Sequence, residues 1–212
     1  AVRLERLSYY EAAELSYFGA KILHPRTMEP LLPLAIPVQV KNFHDPQSPG
    51  TWILPEAVQR EGIIKSVTSN RDIAVLRIEG AGVGFKPGII GNVGDLLAAA
   101  GINIFSIVTS QTSINLILAA ADAGRARKIV QRARNGVVAD LRLWQDIVLV
   151  AVVGEGLLTA KGVAARVFAA VSREGVNVEM ISAGASDVAS YFIVRASDAD
   201  RVIMAVHREF FS

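Results

Sequence analysis

The sequence predicts an α+β fold: two tandem ferredoxin-like βαββαβ units, the first inserted into the second, each an antiparallel sheet with helices on one face. Three observations predict it. First, the stretch from Asp72, DIAVLRIEGAGVGFKPGIIGNVGDLLAAAGINIFSIV, is echoed from Asp146 by DIVLVAVVGEGLLTAKGVAARVFAAVSREGVNVEMIS. Gly88 and Gly162, Gly101 and Gly175, Asn103 and Asn177, and Ile107 and Ile181 keep the same offset of 74 residues. A repeat at fixed period marks two copies of one supersecondary unit. Second, apolar alternation and helical spacing succeed each other in the order βαββα in both copies, the order of a split βαβ sandwich. Third, copy two ends at Ser212 without a fourth strand, while GIIKSVTSN, Gly62 to Asn70, is strand-like and has no place in copy one. An unpaired sheet edge invites aggregation. Residues 62–70 are therefore predicted to cross over and complete copy two, with copy one inserted between.

Residues 1 to about 60 differ from the repeats. LSYYEAAELSYFGAKILH places Leu7, Ala12, Leu15, Phe18 and Ile22 at helical spacing. Ser8 is the predicted N-cap, with Glu11 three residues on completing a capping box. Pro25 should end or bend this helix. TMEPLLPLA reads as a second short helix, IPVQVKNF (Ile36 to Phe43) as a strand, and HDPQSPGTWI as a turn-rich loop. Two helices, a strand and a loop are too few for a core of their own. This segment reads as the tail of another domain.

Each copy opens with an apolar strand, Ile73 to Ile78 or Ile147 to Val153, that leads into a glycine-containing loop. An amphipathic helix follows (Ile89 to Ala100; Val163 to Arg173), closed by Gly101 or Gly175 as a left-handed cap. Then come a strand (Ile102 to Val108; Val176 to Ser182), a polar turn, a strand (Ile114 to Ala120; Ser190 to Arg195) and a helix (Gly124 to Arg134; Ala199 to Phe210). Copy one gains a fourth strand near Asp140 to Trp144. The resulting boundaries are 1–60 for the leading segment, 72–145 for the first unit, and 61–71 with 146–212 for the second.

With 212 residues, 51% of them hydrophobic, the chain can bury a real core. It has no cysteine, which excludes disulfides and thiolate metal sites. No apolar run is long enough to span a bilayer as a helix, and Ala1 opens a charged segment unlike a signal peptide. A cytoplasmic protein with no membrane partner is expected. The lack of an initiator Met suggests a piece of something longer. The basic cluster RARKIVQRAR, Arg125 to Arg134, has no interleaved aromatic residue to stack on bases. It reads as a solvated helix face, and no nucleic-acid partner is expected.

Two polar clusters carry the candidate chemistry. The loop GAGVGFKPG, Gly80 to Gly88, leads into a helix N-terminus, whose free N–H groups suit a carboxylate, and Lys86 adds charge. The matching EGLLTAKG has fewer glycines and the bulkier Leu157 and Leu158, so copy one is the better anion binder. A tight turn without a ligand reads equally well. The turn TSQTS, Thr109 to Ser113, offers hydroxyls and an amide to a polar side chain or an α-amino group, or is simply a hairpin turn. His24, His44 and His207 are far apart, no spacing resembles a metal site, and no nucleophilic triad motif occurs. No catalytic residue and no metal ligand is assigned.

Phe18 to Ile53, FGAKILHPRTMEPLLPLAIPVQVKNFHDPQSPGTWI, closely resembles the end of the kinase domain of aspartate kinases, with their FGAKVLHP-type motif and IPVxVKN–PxxxGT segment. The paired repeats resemble the two ACT domains that follow there, the first likewise inserted into the second. The resemblance covers essentially the whole chain. It implies that residues 1–60 are a C-terminal remnant of an amino-acid kinase domain. The Lys-Phe-Gly-Gly stretch that holds phosphates and aspartate has no counterpart, so this chain should not itself transfer phosphate. No cofactor is expected in it, and MgATP is a substrate of the parent enzyme only. Lys21 matches a lysine near the nucleotide in that family.

The resemblance further implies an effector site between ACT domains of two paired chains. By position its residues are Gly82, Phe85, Lys86, Pro87, Asn103, Ile104, Phe105, Thr109, Ser110 and Gln111, with Asn177 and Val178 of copy two approaching from the partner. Lysine-sensing members place acidic residues where this chain has Phe105 and Gln111. Lysine's ε-ammonium would lack a counter-charge there, which argues for threonine as the effector. The expected protein is the regulatory region of an aspartate kinase under feedback control by threonine rather than lysine, a homodimer through its ACT domains. The alternative is an ACT-domain scaffold subunit that dimerises without sensing.

Overall fold

A computed structural model describes residues 3–20, 23–56, 63–132, 139–157 and 159–211. The chain divides into two compact units, residues 71–148, and residues 1–70 together with 149–212.

The first unit is copy one. Its strands are β5 (Ile73–Glu79), β6 (Ile104–Thr109), β7 (Ser113–Ala119) and β8 (Asp140–Trp144), and its helices α2 (Ile89–Ala99) and α3 (Ala120–Arg132); four strands and one helix precede it in the chain. The sheet runs β6-β7-β5-β8 with all neighbours antiparallel. Register decides which side chains meet the helices. Leu76 and Ile78 of β5, Ile114, Leu116 and Leu118 of β7, and Leu141 of β8 form one core with Val93 and Leu97 of α2 and Ala126 and Val130 of α3. Both helices therefore pack on the same face. α2 ends in a left-handed glycine cap: Gly101 has φ 67, and the N–H groups of Gly101 and Ile102 donate to Ala98 and Leu97. Arg125, Lys128 and Arg132 of α3 are solvent-exposed.

The second unit holds copy two and the leading segment. Its main sheet runs β10 (Met180–Ser182), β11 (Ala189–Arg195), β9 (Ile147–Val153), β4 (Ser66–Asn70). β4 pairs antiparallel with β9, Ser66 opposite Val153 and Asn70 opposite Leu149. The strand ahead of copy one thus completes the sheet of copy two. α4 (Val163–Arg173) and α5 (Ala199–Phe211) lie on one face, where Phe168 meets Phe192 edge to face at 5.5 Å. Alternation sends the neighbouring Tyr191 to the other face. There it meets Phe18, at 5.4 Å between ring centres. Phe18 caps α1 (Tyr9–Tyr17), so α1 covers the sheet face that α4 and α5 leave open. Every residue of β9 is buried as a result.

The leading segment has more strand than its composition predicts. β1 (Arg6–Ser8) pairs parallel with β3 (Thr51–Leu54), and β3 pairs antiparallel with β2 (Val38–Val40). β3 begins inside the stretch expected to be a loop, replacing its last three residues, Thr51 to Ile53. Its partner β1 is about 45 residues upstream, beyond the reach of a local pattern. The Ser8 cap and its reciprocal bond with Glu11 occur as predicted. The helix is shorter: it stops at Tyr17, and Gly19 at φ 110 turns the chain so tightly past Ser69 that a Cβ would lie 2.4 Å from its carbonyl oxygen. Residues 27–35 form no α-helix. Only 3-10 turns occur, at Pro25–Thr27 and Leu32–Leu34, where Pro33 has no N–H to give. The strand expected from Val176 narrows to Met180–Ser182.

Among the described residues no helix is long and apolar enough to cross a membrane, and no three His, Asp or Glu side chains gather as a metal site.

Candidate functional site

In copy one the β5–α2 loop and the β6–β7 turn are built against each other. Gly84 N donates to Gln111 O at 3.2 Å and Gly80 N to Thr112 O at 3.1 Å. A Cβ on Gly84 would sit 1.8 Å from Ser110 O. Only a residue without a side chain lets these backbones approach so closely. This contact sets the loop that carries Gly82, Phe85, Lys86 and Pro87 against the turn that carries Thr109, Ser110 and Gln111. Gly82, at φ 74, turns the loop, and its carbonyl accepts from Phe85 N and Lys86 N at 2.9 Å each. Gly88, at φ 85, then caps α2 without any side-chain hydrogen bond, so the first-turn N–H groups of α2 point out from the end of this loop. Lys86 is exposed and Phe85 is 83% exposed.

The turn is closed by Ser110 N donating to Ser113 O at 2.8 Å. Ser110 Oγ lies 2.9 Å from the buried Ser113 Oγ, so this hydroxyl is already engaged in holding the turn. Thr109 and Gln111 are exposed. Asn115, buried behind them, donates through Nδ2 to Val108 O at 3.0 Å and ties β7 to β6. In the sequence, Asn115 is marked only as a polar residue inside the apolar run of β7.

Ile104 and Phe105 lie at the far end of β6 from Thr109, and Asn103 immediately precedes the strand. Thr109 is six positions beyond Asn103, about 20 Å along an extended chain. One chain therefore does not bring both groups onto one small ligand. Phe105 sits where the β6–β7 register shifts between Ile104 and Ser106. In copy two, Asn177 is exposed and Val178 half-buried, both in the link between α4 and β10. Lys21 lies outside the described residues.

Copy two repeats the loop conformation but not its chemistry. Gly156 and Gly162 both have φ 84, and Gly156 O accepts from Thr159 N and Ala160 N at 3.1 and 3.0 Å. At the same offset Lys86 is matched by Ala160 and Thr109 by Ala183. These alanines line a mostly apolar cavity of about 320 Å³ with Leu157, Val167, Phe168 and Phe192. At these two positions the charge of Lys86 and the hydroxyl of Thr109 have no counterpart.

Models of the ACT domain match residues 68–132 and 150–210. The chain is 32% identical over 217 residues to the bifunctional aspartokinase/homoserine dehydrogenase of Haemophilus influenzae, covering 99% of the chain and 26% of that protein. It is 33% identical over 211 residues to the chloroplastic aspartokinase 1 of Arabidopsis thaliana, covering 97% and 37%. Among solved structures, the aspartate kinase of Clostridium acetobutylicum superposes with a TM-score of 0.88 at 27% identity, over 98% of this chain and 49% of that one. Aspartokinase III of E. coli, in complex with lysine and aspartate in its T-state, gives 0.82 at 28% identity, over 100% and 47%. The chain thus spans about a quarter to a half of the length of these four proteins.

Proposed function

We infer, from the chain's place in the aspartokinase family, whose regulatory C-terminal part it matches through two ACT domains, that it senses an end-product amino acid for an aspartate kinase. The parent enzyme would phosphorylate L-aspartate with MgATP to 4-phospho-L-aspartate. The observation that carries the reading is the clamp of the β5–α2 loop on the β6–β7 turn. It sets outward-pointing amides, Lys86 and the polar Thr109 and Gln111 within one small region. A zwitterionic amino acid fits that set: its carboxylate at the α2 N-terminus near Lys86, its ammonium and side-chain hydroxyl toward Thr109 and Gln111.

The separation of Asn103 from Thr109 supports a homodimer. An antiparallel pairing of the β6 edge with that of a second copy sets the start of one strand beside the end of the other. Ile107, 38% exposed on that edge, and Phe85 are apolar groups such a pairing would cover. Threonine is favoured over lysine because Phe105 and Gln111 offer no negative charge to an ε-ammonium. Relief of kinase inhibition or its onset requires that the effector bind two arrangements of the paired sheets unequally.

Thermal unfolding with threonine, lysine, methionine or no ligand tests the reading. A ligand at about 100 times its dissociation constant adds roughly 2.7 kcal/mol, a rise of a few degrees in Tm. A rise with threonine alone is expected. A rise with lysine alone would overturn the choice of effector, and no rise with any of them would leave a non-sensing scaffold.

A further inference from the structure

We propose that Glu11 is a latch, a buried carboxylate that fastens α1 to the β9–α4 loop of copy two and carries any displacement of that loop into the leading segment. Glu11 is fully buried, and its three hydrogen bonds join three distant pieces of chain. Oε1 accepts from Glu155 N at 2.8 Å, across 144 residues of sequence. Oε2 accepts from Ser8 N at 2.8 Å and from Lys65 Nζ at 2.7 Å. The Lys65 side chain is itself only 4% exposed, so the pair is closed off from water. Separating such a pair strands two charges in a poor solvent, which keeps the joint shut.

Both ends of the joint are stiff. Ser8 belongs to β1 and also caps α1, and β1 is laddered to β3. Tyr9 donates its hydroxyl to Ile36 O, pinning the same turn. At the other end, Glu155 follows Gly154, whose Cβ would lie 1.8 Å from Ile63 O. Lys65 N donates to Val153 O at 2.8 Å. The root of the loop, the entry to β4 and the start of α1 thus share one carboxylate. Gly156, the first left-handed residue of the loop, is one residue from Glu155.

Backbone hydrogen exchange on the whole chain tests this without any ligand, so the outcome does not depend on which amino acid is sensed. Gly156→Ala forces a side chain into a left-handed position and strains the loop. Exchange at Ala12 to Ser16 of α1 is expected to quicken about tenfold relative to α5, the reference for global unfolding. In a background carrying Glu11→Gln and Lys65→Met, which removes both charges together, the same change is expected to leave α1 within about twofold. Glu11→Asp, which keeps the charge but draws the carboxylate back by one methylene, gives the same loss of coupling and serves if the double variant does not fold. Equal quickening of α1 in both backgrounds would overturn the latch. So would quickening confined to the loop in the wild-type background.

Discussion

The missing methyl group at Gly84 decides how the β5–α2 loop meets the β6–β7 turn. Gly84→Ala drives a Cβ into Ser110 O and is expected to cost about 1–3 kcal/mol by overpacking. Gly94→Ala, in the middle of α2 with open space around it, is expected to gain roughly 0.5–1 kcal/mol. Denaturant unfolding of the two variants separates a contact glycine from an idle one, two roles that look alike in sequence. Glu14 offers a second test. Burial raises its pKa above the ordinary carboxylate value, and a hydrogen bond with Ser186 opposes this only in part. A raised folded pKa means stability that is full below the usual carboxylate pKa and lost as pH rises through the folded value. Glu14→Gln is therefore expected to raise Tm at pH 7 and to leave it unchanged at pH 4. A fall at pH 7 would show that the ionised form is the better fit. The capping role of Glu11 was legible in the sequence. Its bonds to Lys65 and Glu155 were not, because local spacing carries no information about partners 54 and 144 residues away.

The elements of the two copies were legible because each has a buried face that imposes a period on the sequence. The leading segment was harder, since β1 and β3 are three and four residues long and are stabilised by each other rather than by local pattern. What α1 covers could not be read either. Its apolar spacing says that one face is buried, not that the cover is the sheet of copy two. Phe18→Ala removes the ring that meets Tyr191 and is expected to cost about 3–5 kcal/mol in the unit formed by residues 1–70 and 149–212. A cost near zero would mean that α1 does not dock there. At the β6 edge, Ile107→Lys places a charge on the surface assigned to the second copy. If the proposed pairing holds, light scattering is expected to show the mass of two chains for the unmodified protein and of one for the variant, with the circular dichroism unchanged. An unaltered mass would remove β6 from the interface.

Across the whole molecule the insertion is the organising feature. It was legible only because a strand count left one strand too many before copy one and one too few in copy two. Asn70 and Leu149 are antiparallel partners, so the chain leaves the copy-two sheet and re-enters it at neighbouring positions. Replacing residues 71–148 with an Asn-Gly turn should close a hairpin there and leave a cooperatively folded remainder, shown by a single unfolding transition. Of the candidate site, the loop and the turn were legible as polar interruptions between apolar strands, and the structure brings them together. Asn103, Ile104 and Phe105 stand apart, toward the other end of β6; under the proposed pairing they would meet the turn of a second chain, which no single-chain pattern encodes. The most direct measurement is calorimetric titration of threonine into the intact chain and into a Lys86→Ala variant. Saturable heat in the intact chain, lost in a variant that keeps its Tm, is the expected result. No heat with threonine, lysine or methionine, from a chain that still dimerises, would contradict the sensing account.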